Sequence, residues 1–266
     1  MKVYIVTDLE GCAGIPRFED YGLPGHRWYE DAREIVTGET NAAILGCLDA
    51  GVTEILVVDG HGAGAINPKL LHPEAKLLMG RPLGYPFGCD RSFQAAMMVG
   101  QHAKSNSDGG HLSHTGWFGC EEQSINGVSV GEMGCNMLFA AYFGVPTVLV
   151  AGDVAAAEEA RALVPNIETA AVKDGFKRGS ATGLTAEENE LFNGAAIHLH
   201  PVKAQELIRE RARRGIERLA EIKPFWLAPP YKKVLVVRKT DAEPEKRGTA
   251  EANDLMELLN GAVTWE

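Results

Sequence analysis

Two carboxylates, Asp8 and Glu10, close the apolar run KVYIVTD and stand two residues apart at its end. Residues spaced by two along a strand share a face, so both can point at one partner. A second apolar run, TEILVVDGHG (53–62), ends in Asp59, Gly60 and His61, and a third, QAAMMVGQHA (94–103), reaches His102. Glu132 opens the stretch GEMGCNMLFAAYFG (131–144). Carboxylates with neutral imidazoles are the ligand set of zinc or another borderline divalent metal, and more than four of them points to two ions. Two neighbouring ions need one bridging carboxylate, and Asp8, at the strand end itself, is the candidate bridge. Asp59 is read as an outer partner that orients an imidazole rather than as a ligand.

These residues matter together only if the elements bring them together. The runs at 2–8 and 53–62 flank a helical pattern at 27–51 that ends at Gly51, a good C-cap. Such a β–α–β order predicts parallel strands joined by a right-handed crossover. A loop-rich stretch (60–92) leads to the strand at 94–103, and Asn126-Gly127 signals a type I′ hairpin. Residues 131–144 read as a helix, 146–153 as a strand, 154–165 as a helix and 167–173 as a further strand. Beyond 173, helices are predicted over 185–199 and 201–222, a strand over 232–240 and a helix over 250–260. The fold class is α/β, a mostly parallel central sheet with flanking helices, plus a smaller C-terminal α/β or α+β domain. The domains are set at 1–165, the metal-binding catalytic unit, and 166–266. Ligands of open α/β sheets bind beyond the carboxyl ends of the strands, which is where Asp8, Glu10, His61 and His102 all fall.

Composition narrows the function. A formal charge of −10 argues against nucleic acid and against an anionic membrane surface as partners. No apolar stretch approaches the ~18–20 residues that span a bilayer. The five cysteines (Cys12, Cys47, Cys89, Cys120, Cys135) are odd in number and show no CxxC spacing, so neither a disulfide framework nor a thiolate zinc knuckle is expected. With no secretory leader pattern either, the expectation is a soluble cytoplasmic protein. His198 and His200 would share a face on a strand, but the surrounding sequence reads as helical and Pro201 makes His200 an N-cap. His26 and His72 read as surface loop residues.

The short motifs TDLEG (7–11), DGHG (59–62), GQHA (100–103), SHT (113–115) and VGEMG (130–134) occur in one order that resembles the D-aminopeptidase DppA family of dinuclear zinc peptidases. GVPTVLVAGD (144–153) and NIETAAVK (166–173) are similar to that family too, and the resemblance weakens beyond about 175. It implies zinc ligands at Asp8, Glu10, His61, His102 and Glu132, two zinc ions per subunit, and a catalytic histidine at His114. His111, three residues earlier, competes for that last role because the 102–114 interval is one residue longer than the family pattern. The role itself is open between base, oxyanion stabiliser and nucleophile. The implied activity is zinc-dependent aminopeptidase or amidohydrolase action, releasing N-terminal (in that family D-configured) amino acids from short peptides or amino-acid amides. A ring-like homo-oligomer, a decamer, is implied as well. Two other readings use the same ligands: a metal-dependent phosphoesterase, and a non-catalytic metal-containing peptide-binding protein.

Overall fold

The computed structural model describes residues 1–266. In chain order the elements are β1 (Lys2–Thr7), α1 (Phe18–Tyr21), α2 (Tyr29–Asp49), β2 (Glu54–Asp59), β3 (Ala75–Leu78), β4 (Ala95–Gln101), β5 (Cys120–Ile125), β6 (Val128–Ser129), α3 (Glu132–Tyr142), β7 (Thr147–Asp153), α4 (Val154–Leu163), β8 (Glu168–Gly175), α5 (Ala186–Phe192), β9 (Ala196–His198), α6 (Pro201–Glu217), β10 (Tyr231–Val237), β11 (Lys246–Ala252), α7 (Leu255–Asn260) and β12 (Thr264–Trp265). Seven strands form one sheet in the order β3-β2-β1-β4-β7-β8-β9, parallel throughout except for β9, which runs antiparallel to β8. A second, antiparallel sheet runs β12-β11-β10-β5-β6.

Every residue of β4 and β7, and all but the first of β1, is buried. Strands covered on both faces read as continuous apolar runs rather than alternating ones, which is why these three were plain in the sequence. Two helix pairs, α2 with α6 and α3 with α4, cover the sheet. The Asn126-Gly127 turn joins β5 to β6 with positive φ at both residues, as a type I′ hairpin requires.

The order of connection creates the site. The chain winds from β1 outward through β2 to β3, then returns to add β4 on the other side of β1. The strand order therefore reverses between β1 and β4, and a crevice opens beyond their carboxyl ends. Two glycines let the backbone close beneath it. A methyl group at Gly11 would run into the main chain of Gln101, and one at Gly100 into the carbonyl of Asp8. Gly100 also has φ +74°, a conformation that side chains other than glycine adopt only under strain.

Two expectations are corrected here. Residues 250–252 lie in β11, so the predicted helix at 250–260 shrinks to α7; pairing with β10 overrides the helix-favouring alanine and glutamate of that stretch. His198 sits on β9, an edge strand, not in a helix, whereas His200 is the N-cap of α6 with Pro201 at its first turn, as expected. Each of the two sheets draws strands from both sides of residues 165/166.

Gly100→Ala should lower the unfolding free energy by at least about 1–3 kcal/mol, the cost of a forced positive φ, with the Asp8 clash in addition. Gly25→Ala, also at positive φ but in open space, should lose less; denaturant unfolding of the two variants makes the comparison.

Candidate metal centre

Six side chains converge at the β1/β4 crevice. Asp8 and Glu10 follow β1, His61 follows β2, His102 follows β4, His114 comes from the loop before β5, and Glu132 is the first residue of α3. They fall into two triads, Asp8/Glu10/His61 and His102/His114/Glu132, with ligand atoms inside each triad within 4.8 Å of one another. Asp8 joins them. Its Oδ1 lies 3.2 Å from His61 Nδ1 and its Oδ2 3.4 Å from His102 Nε2. Glu10 Oε2 is 3.2 Å from His61 Nδ1, and Glu132 Oε1 is 3.4 Å from His102 Nε2 and 3.6 Å from His114 Nε2. The rings of His102 and His114 stack 3.9 Å apart, and His114 leans on Phe118.

Each imidazole is oriented from behind by a main-chain carbonyl. His61 Nε2 lies 2.7 Å from Gly22 O, His102 Nδ1 2.9 Å from Ala103 O, and His114 Nδ1 2.8 Å from Leu112 O. A carbonyl can only accept, so the outer nitrogen carries the proton and the inner nitrogen presents its lone pair to the crevice. That is the tautomer a metal ligand needs.

The charges are out of balance without a cation. Burial, reinforced by Glu10, raises Asp8 to about 7. Burial disfavours the charged form of His102, yet Glu132, Asp8 and Glu10 outweigh it and raise the ring to about 10. His61 is raised in the same way by Glu10 and Asp8. Against its own burial, Glu132 is held down at about 2, chiefly by the hydrogen bond from His102, and Glu10 is held well below the usual carboxylate range by His61. His114 is lowered by burial and by His102 beside it. Glu10 Oε2 is buried with no hydrogen-bond partner. An orphaned carboxylate oxygen among inward lone pairs is what a divalent cation would satisfy.

The loops that carry these residues are fixed by charged groups that the sequence did not reveal. Glu159 on α4 accepts from Gly131 N and Lys104 N, holding the segments next to Glu132 and His102. Glu39 on α2 accepts from Ala13 N, and Lys173 on β8 donates to the carbonyls of Glu10 and Ile15. Asp59 touches no imidazole. Its carboxylate accepts from Ala65 N and Ile66 N, so it caps the loop that carries His61, while Arg81 binds the carbonyls of Asp59, His61 and Gly62 from outside. Nothing in the spacing of Glu39, Glu159 or Lys173 marks them, because their partners are main-chain atoms far away in sequence. His111 is buried away from both triads, with Nε2 on Pro16 O and its ring edge-on to His198.

The centre opens into a cavity of about 310 Å³ walled by Phe18, Leu23, Trp117 and Phe118, with glycines at 60, 62 and 116 and no lysine or arginine in its lining. A larger groove of about 700 Å³, bordered by Pro16, Arg17 and Phe176, contains none of the six clustered residues.

The chain belongs to the D-aminopeptidase family, whose model matches residues 1–192. It is 35% identical over 270 aligned positions to a D-aminopeptidase of Bacillus subtilis (strain 168), covering 99% of this chain and 90% of that one. A solved structure described as the Zn-dependent D-aminopeptidase DppA from Bacillus subtilis, a self-compartmentalizing protease, superposes with a TM-score of 0.82. It shares 31% sequence identity, over 97% of this chain and 94% of that chain.

Imidazoles must be neutral to ligate, and His61 and His102 are raised in the metal-free centre. Divalent-metal binding at pH 7 should therefore release a proton from each of these rings and a fraction of one from Asp8, and the His102 share should fade as the pH passes about 10. Titration calorimetry in buffers of different ionisation enthalpy counts these protons; binding without release would contradict the ligand set.

Proposed function

We propose that this chain is a zinc-dependent aminopeptidase that removes the N-terminal residue, D-configured, from short peptides or amino-acid amides. The observation that carries the reading is Asp8, whose two oxygens face one imidazole from each triad at the foot of a cavity open to substrate. Three carboxylates, Asp8 and Glu10 buried and Glu132 at the edge, also favour two divalent ions over one, since a single dication would leave one carboxylate uncompensated. Asp8, Glu10, His61, His102 and Glu132 would hold the two zincs, with Asp8 as the bridge. Bound zinc supplies Lewis acidity and lowers the pKa of water from ~15.7 towards ~7.

The chain's own residues do the rest. The apolar walls exclude water and seat the side chain of the first residue. The neutral Nε2 of His114 faces the centre with its lone pair available, because Nδ1 is engaged by Leu112 O. His114 takes a proton as water adds to the scissile carbonyl carbon and returns it to the departing nitrogen as the C–N bond breaks. The products are a free amino acid and a peptide shortened by one residue. Phosphoester cleavage fits less well, since phosphoryl oxygens call for lysine or arginine and the cavity has neither. A purely structural metal is disfavoured by the same cavity, because structural sites are closed.

The relative's self-compartmentalizing assembly supports a homo-oligomer here, and a ring of ten is the form we propose. Phe176 and Leu191, 71% and 76% exposed, give it apolar surface to bury. Five unpaired, buried cysteines fit a reducing, cytoplasmic setting.

His114→Ala should keep both zincs and lose about 10²–10⁴-fold in kcat. Loss of zinc from that variant would make His114 a third ligand of its triad instead. A panel of D- and L-aminoacyl amides, short peptides and phosphate esters tests the activity itself: D-aminoacyl substrates should turn over and the esters should not. Light scattering should give the mass of ten chains, and a monomer would contradict the ring.

A further inference from the structure

Lys173 is a fully buried cation that the proposed chemistry does not use. It lies on β8, 2% exposed, with Asp153 of β7 as its register partner. Its Nζ is directed at the carbonyl oxygens of Glu10 and Ile15, the latter at 3.3 Å, which bracket the turn below the centre. The same turn is held by Glu39, which accepts from Ala13 N at 2.8 Å, and by His198 Nδ1, which accepts from Gly14 N at 3.1 Å. Burying an ammonium group is costly, and burial does lower the pKa of Lys173. A leucine or methionine would fill the space at less cost, so the charge calls for an explanation.

Glu10 supplies it. Its side chain is 2% exposed, and Oε2 makes no hydrogen bond of good geometry; its nearest polar neighbour is His61 Nδ1, at 3.2 Å. Whether that carboxylate reaches His61 depends on the orientation of its own peptide unit, which Lys173 grips at the carbonyl. We propose that Lys173 is a positioning residue for the Asp8/Glu10/His61 half of the centre. It fixes the Glu10 peptide so that the carboxylate meets the metal-facing nitrogen of His61, and it leaves the His102/His114/Glu132 half untouched. This rests on the two-zinc reading above.

Zinc content and zinc affinity, measured by chelator competition on the whole protein, test it without recourse to turnover. Wild type should take up two zincs. Lys173→Met should hold one as tightly as wild type and the other about 10–100-fold more weakly, the loss typical of removing a group that orients a ligand. The visible absorption of the cobalt-substituted protein should change with it. Lys233→Met is the matched control, because Lys233 is also a buried lysine donating to two carbonyls, Leu258 and Gly261, at the far end of the chain. It should lower the melting temperature and leave zinc affinity and the cobalt spectrum unchanged. If Lys173→Met does not fold, Lys173→Gln carries the same expectation. A Lys173 variant that keeps both zincs at wild-type affinity, with an unaltered cobalt spectrum, would overturn the inference alone. A wild-type protein that takes up fewer than two would overturn the two-zinc reading and the inference with it.

Discussion

Three carboxylates, Asp8, Glu10 and Glu132, meet in one crevice, Asp8 and Glu10 fully inside it and Glu132 at its edge. Like charges so placed repel one another and lose their hydration, and neither loss is recovered by packing. In the metal-free chain two of the three imidazoles, His61 and His102, absorb part of the imbalance by taking up protons, while burial and His102 lower His114. A divalent metal would do the same without changing the tautomers, since the outer nitrogens are already committed to main-chain carbonyls. The rest of the structure can be understood as what is needed to hold that unfavourable group of charges in place.

The sheet does most of it. Three strand ends deliver four of the candidate ligands, Asp8, Glu10, His61 and His102, because the order β2-β1-β4 puts the carboxyl ends of those parallel strands side by side. Gly11 and Gly100 permit the close approach of the turns after β1 and β4. Around them stands a ring of buried charged groups that hydrogen-bond to the main chain: Asp59 below His61, Glu159 between the His102 and Glu132 segments, Glu39 and Lys173 under the Asp8–Ile15 turn. Ligand geometry is thus set by backbone placement, with rigid elements behind each loop.

Much of this was legible in the sequence, and the reason is burial. β1, β2, β4 and β7 are central strands whose apolar runs end abruptly at Asp8, Asp59, His102 and Asp153, so strand ends and candidate ligands could be read together. Less was legible where residues act through main-chain partners distant in sequence. Asp59 has the type and position of a residue that orients an imidazole, yet its carboxylate faces the amides of Ala65 and Ile66. Lys173 looked like the polar end of a strand. The β11/α7 region misled because Ala250, Glu251 and Ala252 favour helix, and only their pairing with β10 makes them strand. His198 was misplaced for a related reason: β9 is three residues long and carries too little pattern to be seen.

The proposed chemistry depends on Asp8 bridging two metal ions, one in each triad. Diffraction recorded on either side of the zinc absorption edge, from crystals of the zinc-loaded protein, tests this most directly. Two anomalous peaks ~3.5–4 Å apart are predicted, each within bonding distance of one Asp8 oxygen, with Glu10 and His61 on one and His102 and Glu132 on the other. A single peak, or two peaks without Asp8 between them, would contradict it.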